Sequence, residues 1–455
     1  MKRLNNKHDV YDMLNHETIW YRHGGPEEVG HSALYLPTCA VLRERPDDVH
    51  AEIVHSLIKE FTTLYGLNGT ALSIMPNGED HFTLIKTAHA THPARQHLLF
   101  EGYGLSSEQE GVAVHRQLAR KASEHSFTVT ISSGRTVDAW NTKPYFRERV
   151  TEAFGEDAVP PGVRLEAPRG PAEIVHTIKQ MFKIGVKRVI VKVNGSGGEG
   201  NTIVTLGDDI KIVAEKVIGQ ISGVKEKWVS VEAWIPWQIT GCCSFFLADS
   251  HAPIPMTLVQ QVLSPITAGF IGSRSILDIT YDDQQAIIEH TARIVDDARV
   301  EGVRGFCGAD FIISLPGQTK NEFLLPSGLA LRYIEATPRV GGHNQELKAL
   351  SMIAKREGMM IDDFIHLRVC NKPVSNTASR DDVRLAIKTT LRDLAEPFDA
   401  RPIREGDVRF LLDCNFGEQT QTHYDAIMLV SRRGRAEAKI RAAFEHLESL
   451  GMLQT

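Results

Sequence analysis

Residues 189 to 201 read Val-Ile-Val-Lys-Val-Asn-Gly-Ser-Gly-Gly-Glu-Gly-Asn, and no other stretch limits the fold as strongly. Gly195, Gly197, Gly198 and Gly200, with Ser196 among them, let the backbone turn sharply and aim its N–H groups at anionic oxygens. The segment just after the loop decides its type. A Walker or dinucleotide-binding loop runs straight into a helix whose N-terminus receives phosphate. Here Thr-Ile-Val-Thr-Leu comes instead, a β-branched run that predicts a second strand. The expectation is therefore a glycine-rich flap between two strands, with Lys192 on the incoming strand where its ammonium meets phosphate oxygens from the side. A flexible surface loop would explain the glycines by themselves, so the reading needs partners.

The partners are carboxylates on later predicted strands. Asp310 stands at the start of a strand over 309 to 314, and Glu335 lies within one over 331 to 337. Charged groups in apolar strands need compensation. Strict alternation puts Tyr333, Glu335 and Thr337 on one face, where Glu335 and Thr337 present oxygens to one hard cation and Asp310 adds another from a neighbouring strand. Magnesium carrying nucleotide phosphates is the natural occupant. The alternative is a buried ion pair of Glu335 with Arg332 or Arg339.

The chain has 455 residues, 42% of them hydrophobic, enough to bury cores in two or three modules. A net charge of −6 with bases and acids interspersed argues against nucleic acid as a partner. No apolar run approaches the ~18 to 20 residues that span a bilayer. No apolar segment follows the basic N-terminus, so no secretory signal is expected and the cytoplasm is the default. Six cysteines without a Cys-x-x-Cys spacing read as reduced core residues, Cys307 included. His81, His89, His92 and His97 read as surface or hydrogen-bonded side chains rather than metal ligands.

Periodicity divides the chain into a region over 1–140, a core over 141–370 and a C-terminal unit over 371–455. The first reads as α/β, with a helix over 50–65 and short strands over 70–75 and 127–131. The proline-rich stretch 159–171 reads as a rigid connection into a helix over 173–184. Strands over 187–193, 202–206, 228–235, 240–248 and 257–263 come next, with helices over 209–221 and 282–300, so the core is α+β with a largely antiparallel sheet. Beyond it come a helix over 345–357, a helix capped at Ser379, strands over 408–412 and 426–430, and a last helix carrying Ile440, Phe444, Leu447 and Leu450.

Taken in order, these pieces resemble the ATP-grasp superfamily over roughly residues 141 to 345. Members open with an Asn/Asp-x-Lys-like segment, matched by Asn141-Thr-Lys143, and continue with the lysine strand and glycine-rich flap. A hinge strand with a glutamate comes third, matched by Val231-Glu232-Ala233-Trp-Ile235, and then an acid strand and a Glu-x-Asn-x-Arg strand, matched by Asp310 and by Glu335-Ala-Thr337-Pro-Arg339. The resemblance implies an α+β ATP-grasp fold, its flap half (141–235) and metal half (236–370) clasping nucleotide, with an N-terminal α/β pre-ATP-grasp domain and a small C-terminal α+β unit. It implies ATP and magnesium as cofactors: Lys143, Lys192 and the flap on phosphates; Glu232, Ala233 and Ile235 on adenine; Gln238 where a ribose-binding acid usually lies. Asp310, Glu335 and Thr337 would hold the metal, although Thr337 replaces the usual asparagine. The three-part layout also looks like pheganomycin-type peptide ligases.

The activity so implied is ligation. A carboxylate attacks the γ-phosphate, an amine then displaces phosphate, and both substrates are small molecules, an amino acid or peptide among them. Arg339 is the expected partner of the transferred phosphoryl group and Arg274 a clamp on the carboxylate or acyl phosphate, against the reading of Arg274 as a solvated loop residue. His343 is a candidate for the acceptor site, and a homodimer is compatible with this reading. The rivals are a phosphotransferase on the same fold and a regulatory nucleotide-binding protein in which Thr337 marks a decayed metal site.

Overall fold

The computed structural model describes residues 4–23, 39–43, 71–75, 81–91, 93–102, 120–122, 127–132, 134–166, 168–193, 202–222, 228–249, 251–263, 270–275, 278–338, 344–370, 380–399, 401–414, 424–434 and 436–452, together with 117, 124 and 125. The helix expected over 50–65 lies outside them. Asn6 accepts from the backbone N–H groups of His8 and Asp9 and so starts helix α1 (Lys7–His16). Strands β1 (Thr18–His23), β2 (Cys39–Arg43), β3 (Ala71–Met75), β4 (His97–Gly102) and β5 (Thr128–Ile131), with helix α2 (His81–Thr91), make a parallel sheet of order β3-β2-β1-β4-β5. This is the α/β module expected at the N-terminus. Three of its strands, β1, β2 and β4, were not legible from local pattern; each is short and pairs in parallel with strands from other parts of the chain.

His97 fastens that sheet. It is buried, its Nδ1 lies 3.0 Å from Thr18 Oγ1 on β1, and its Nε2 lies 2.8 Å from Thr130 Oγ1 on β5. Burial pushes its pKa down to about 4.

Helices α3 (Gly134–Asn141) and α4 (Lys143–Phe154) lead into the second module, the latter with a proline in its first turn. The stretch read as a rigid connection holds a strand, β6 (Gly162–Glu166). β6 is the edge of a sheet ordered β6-β9-β7-β8 and is mostly exposed, so it carries little hydrophobic period, and its flanking prolines are tolerated at an edge. The other strands of this sheet are β7 (Arg188–Val193), β8 (Thr202–Thr205) and β9 (Trp228–Ala233); β6 pairs with β9, and every pair in the sheet is antiparallel. Val189, Val191, Val229 and Val231 pack one face against Ile174 and Ile178 of α5 (Pro171–Lys183) and Val217 and Ile221 of α6 (Ile210–Ile221). Lys192, Ser230 and Glu232 are left for the other face.

The third sheet is ordered β14-β13-β10-β11-β12-β15-β18-β17-β16 and is antiparallel except for its last pair. Its strands are β10 (Ile239–Leu247), β11 (Ile254–Leu263), β12 (Phe270–Arg274), β13 (Gly305–Ser314), β14 (Ala330–Thr337), β15 (Phe364–Cys370), β16 (Glu396–Pro397), β17 (Val408–Cys414) and β18 (Tyr424–Arg432). Helix α7 (Tyr281–Glu301) begins at a Thr280/Asp283 capping box and covers one face with α4, burying Phe245, Cys307, Phe311 and Tyr333. Helices α8 (Gln345–Glu357), α9 (Arg380–Thr390) and α10 (Glu437–Ser449) complete the chain, and β16 to β18 continue the sheet begun by β10 to β14. Cys242, Cys243 and Cys307 are buried free thiols, and burial pushes Cys307 up to about 12, which suits packing rather than nucleophilic chemistry. Among the described residues no helix is long and apolar enough to cross a membrane.

The depressed pKa of His97 carries a sign. Above pH 6.5 both folded and unfolded states hold it neutral; as pH falls from 6.5 towards 4 only the unfolded state gains the proton, and stability is lost. Replacing His97 with Gln should shrink the fall in unfolding free energy between pH 7 and pH 5 by about 2 kcal/mol, at ~1.4 kcal/mol per pH unit. Denaturation midpoints at the two pH values measure it, and an equal fall in both proteins would remove His97 as the cause.

Candidate active site between two sheets

The outer face of the four-stranded sheet carries a buried ion pair. Lys192 Nζ lies 2.5 Å from Glu232 Oε2, with side-chain exposures of 5% and 8%, and Ser230 Oγ donates to Glu232 Oε1 at 2.7 Å. Burial alone would raise the Glu232 carboxyl, but Lys192, the Ser230 hydroxyl and the Arg147 guanidinium together hold it below the usual range. Gly162 of β6 sits opposite Glu232, and a Cβ there would come within 2.7 Å of Glu232 Cγ, so the edge strand needs glycine at that point. The Glu232 carboxylate is thus engaged on the sheet face, and the backbone after it forms the hinge. Trp234 N donates to Arg188 O in the small sheet at 2.9 Å, and Gln238 N donates to Ile313 O in the large one at 2.8 Å. Ala233 and Ile235 are buried beside them.

The acids come from the end of the nine-stranded sheet. Asp310 pairs directly with Glu335, yet the next residue, Phe311, pairs with Tyr333, so Ile334 is an extra residue in β14 and a β-bulge. The bulge corrects the expectation that Tyr333, Glu335 and Thr337 share a face. Tyr333 turns into the core beside Phe311, with its hydroxyl 3.2 Å from Thr291 Oγ1, while Glu335 and Thr337 join Asp310 on the opposite side. Arg332 does not take Glu335 either. It is held by Glu322 at 3.1 Å, Thr319 at 2.7 Å and Ser314 at 3.0 Å. Cys242 lies across from Asp310 on β10, and burial together with the Asp310 carboxylate pushes its thiol far up.

Lys143 joins the two sheets. From the first turn of α4 its ammonium lies 2.9 Å from Glu335 Oε2. Burial lowers its pKa, but Glu335, Glu232 and Asp310 raise it more, so it stays charged. One lysine therefore sits within electrostatic reach of acids from both sheets. Arg147, one helical turn further on α4, belongs to the same cluster and was missed in the sequence, although its i+4 spacing from Lys143 was the available signal.

Beyond the hinge a cleft of about 410 Å³ is lined by Ile203 of β8, Trp234, Trp237, Gln238, Thr240, Gln260, Gln261, Arg274 and, from α10, Phe444 and Glu448. That volume is typical of small-molecule sites. Arg274 is neither a solvated loop residue nor a neighbour of the acids. It lies on β12, three strands from β13 and hence about 14 Å away across the sheet. It donates to Gln260 Oε1 at 2.7 Å and pairs with Asp278 at 3.4 Å. Gly195, Ser196, Gly197, Gly198, Gly200, Arg339 and His343 lie outside the described residues.

No family model matches the chain, and no curated protein matches it in sequence. Its fold is similar to solved structures over the full length. An N5-carboxyaminoimidazole ribonucleotide synthetase in its ADP complex is 11% identical, with 99% of this chain and 98% of that one covered and a TM-score of 0.56. The enzyme from Aspergillus clavatus with ADP and 5-aminoimidazole ribonucleotide is 12% identical, with 96% and 100% covered and a TM-score of 0.55. A biotin carboxylase from Campylobacter jejuni complexed with β,γ-ATP is 12% identical, with 96% and 92% covered and a TM-score of 0.52. The chain has the ATP-grasp fold, α+β as expected.

Removing one partner of a buried ion pair leaves the other uncompensated. Glu232→Gln should cost about 3 kcal/mol of stability, and Lys192→Met in the same chain should recover most of it. Thermal unfolding of the two singles and the double measures the coupling; additive losses would refute a tightly compensated pair.

Proposed function

We propose that the protein is an ATP- and magnesium-dependent ligase that joins a small-molecule carboxylate to an amine, an amino acid or peptide, through an acyl phosphate. The observation that carries this reading is the convergence of Lys143, Lys192, Glu232, Asp310 and Glu335, from one helix and two sheets, beside a cleft of nucleotide size. Similar folds have been solved with ADP and with β,γ-ATP.

In this reading the hinge backbone at Ala233 to Ile235 meets adenine and Gln238 the ribose, while Lys143 and Lys192 hold phosphate oxygens. Asp310 and Glu335, paired across two strands with Thr337 two residues on, offer hard oxygen donors. Such a set fits magnesium, which takes one or two carboxylates and otherwise phosphate and water oxygens. When bound, the cation neutralises charge on the phosphates. The Lys143 ammonium, its proton held by three carboxylates, supplies fixed positive charge where the transferred phosphoryl group gains negative charge. Arg339 is its proposed companion.

The covalent steps are a displacement and an acyl transfer. A carboxylate oxygen bonds to the γ-phosphorus as the bond to the ADP oxygen breaks. The amine nitrogen then bonds to the acyl carbon, phosphate departs, and the amine loses its proton.

Incubation with ATP, magnesium and a panel of amino acids and short peptides should release ADP and free phosphate only when acid and amine are both present. ADP with phosphate retained on a stable product would replace this reading with a phosphotransferase, and tight nucleotide binding without turnover would favour a regulatory protein. Glu335→Gln should lower turnover at least about 100-fold, the upper range for loss of a metal-binding contact; near-normal rates in that variant would sink the metal assignment.

A further inference from the structure

The C-terminal helix α10 presents two faces with different duties. Ile440, Ala443 and Leu447, spaced three and four apart, are fully buried against the large sheet. Arg441, Phe444 and Glu448 repeat the same spacing one position on, and Phe444 and Glu448 line the cleft that also holds Trp234, Trp237 and Gln238. Arg441 fastens this second face to the segment between β12 and α7. Its guanidinium donates to both oxygens of Asp278, at 2.6 and 3.3 Å, and the same carboxylate pairs with Arg274. Arg274 in turn orients Gln260 into the cleft wall.

The cleft therefore combines three aromatic rings, from the hinge and from α10, with amide and guanidinium groups. Flat aromatic surfaces flanked by hydrogen-bonding groups suit a purine nucleoside better than a phosphate chain or an aliphatic acid. The phosphate-binding cluster around Lys143 and Glu335 lies elsewhere in the interface, on the acid-bearing strands.

We infer that α10 is the outer wall of the nucleoside end of the nucleotide site, with Phe444 packing on the nucleoside and the Arg441–Asp278–Arg274 bridge holding the helix in place. This rests on the proposed use of ATP and assigns the C-terminal unit a direct part in binding it. Phe444 is a binding residue in this scheme, and Arg441 and Asp278 are positioning residues. Arg274, implied by resemblance as a clamp on the reacting carboxylate, serves the nucleoside end instead.

The test uses the full chain and two probes, magnesium-ADP and inorganic tripolyphosphate, which lacks the nucleoside. Binding is followed by calorimetry and by the fluorescence of Trp234 and Trp237. Phe444→Ala should raise the Kd for ADP about tenfold, equal to ~1.4 kcal/mol, and leave that for tripolyphosphate within twofold. Asp278→Asn, which alters an exposed carboxylate, should raise the ADP Kd about two- to threefold. In the unaltered protein ADP should slow amide exchange over 440–449 and tripolyphosphate should not. Should Phe444→Ala not fold, the exchange measurement and Asp278→Asn decide. Unchanged exchange together with an unchanged ADP Kd in the folded variants overturns the role of α10 while leaving nucleotide use intact. Failure of the unaltered protein to bind either probe overturns the ATP reading itself.

Discussion

Charged side chains of both signs face one another between the two sheets, and the buried ones are tolerable only because of their partners. Lys143 and Lys192 stand among Glu232, Asp310 and Glu335, while Arg147, itself paired with Glu156 at 3.3 Å, adds to the field at Glu232. Buried or half-buried charges cost several kcal/mol apiece when unpaired, so the cluster constrains how the two sheets and α4 sit against one another. In the proposed nucleotide reading, a polyphosphate entering this cluster brings surplus negative charge, which a divalent cation held by Asp310 and Glu335 would offset.

The one-residue bulge in β14 makes that cluster possible. Without Ile334 as an extra residue, Glu335 would follow Tyr333 into the apolar core beneath α7, where nothing is placed to compensate it. With it, the strand keeps Tyr333 packed on Phe311 and still delivers Glu335 to the face that carries Asp310. Bulges commonly re-aim side chains beside functional sites. Glycine at 162 performs a related service at the other sheet, since only a residue without Cβ leaves room for the Glu232 side chain.

The cleft past the hinge is walled by tryptophan rings, glutamine amides and the face of α10, and the charged cluster lies outside its lining. In the proposed reading the two together take the aromatic head and the anionic tail of one ligand. Because β15 to β18 extend the same sheet as the acid strands, α10 can reach across to the hinge side without a flexible linker. The rigidity of one continuous sheet links the last helix to the site.

Much of this was legible in the residues themselves. The two strands β7 and β8 on either side of the glycine-rich stretch, the acids at 310 and 335, the capped helix ending before Gly302 and the helix over 345–357 ending at Gly358 all follow from local chemistry: β-branched runs, glycine in left-handed turns, and apolar periodicity. Other features were settled only in three dimensions. β1, β2 and β4 are strands because parallel neighbours cover them, and β6 is one because β9 offers a free edge. Glu335 faces Lys143 because a bulge shifts its register, and Arg274 lies away from the acids because two strands, β10 and β11, intervene between it and Asp310. The order of residues along the chain was enough to establish the helices, turns and strong strands, since those depend on neighbours a few positions away. Which charges met, and which faces they shared, depended on hydrogen-bond register between strands far apart in the chain, and no local pattern encodes that.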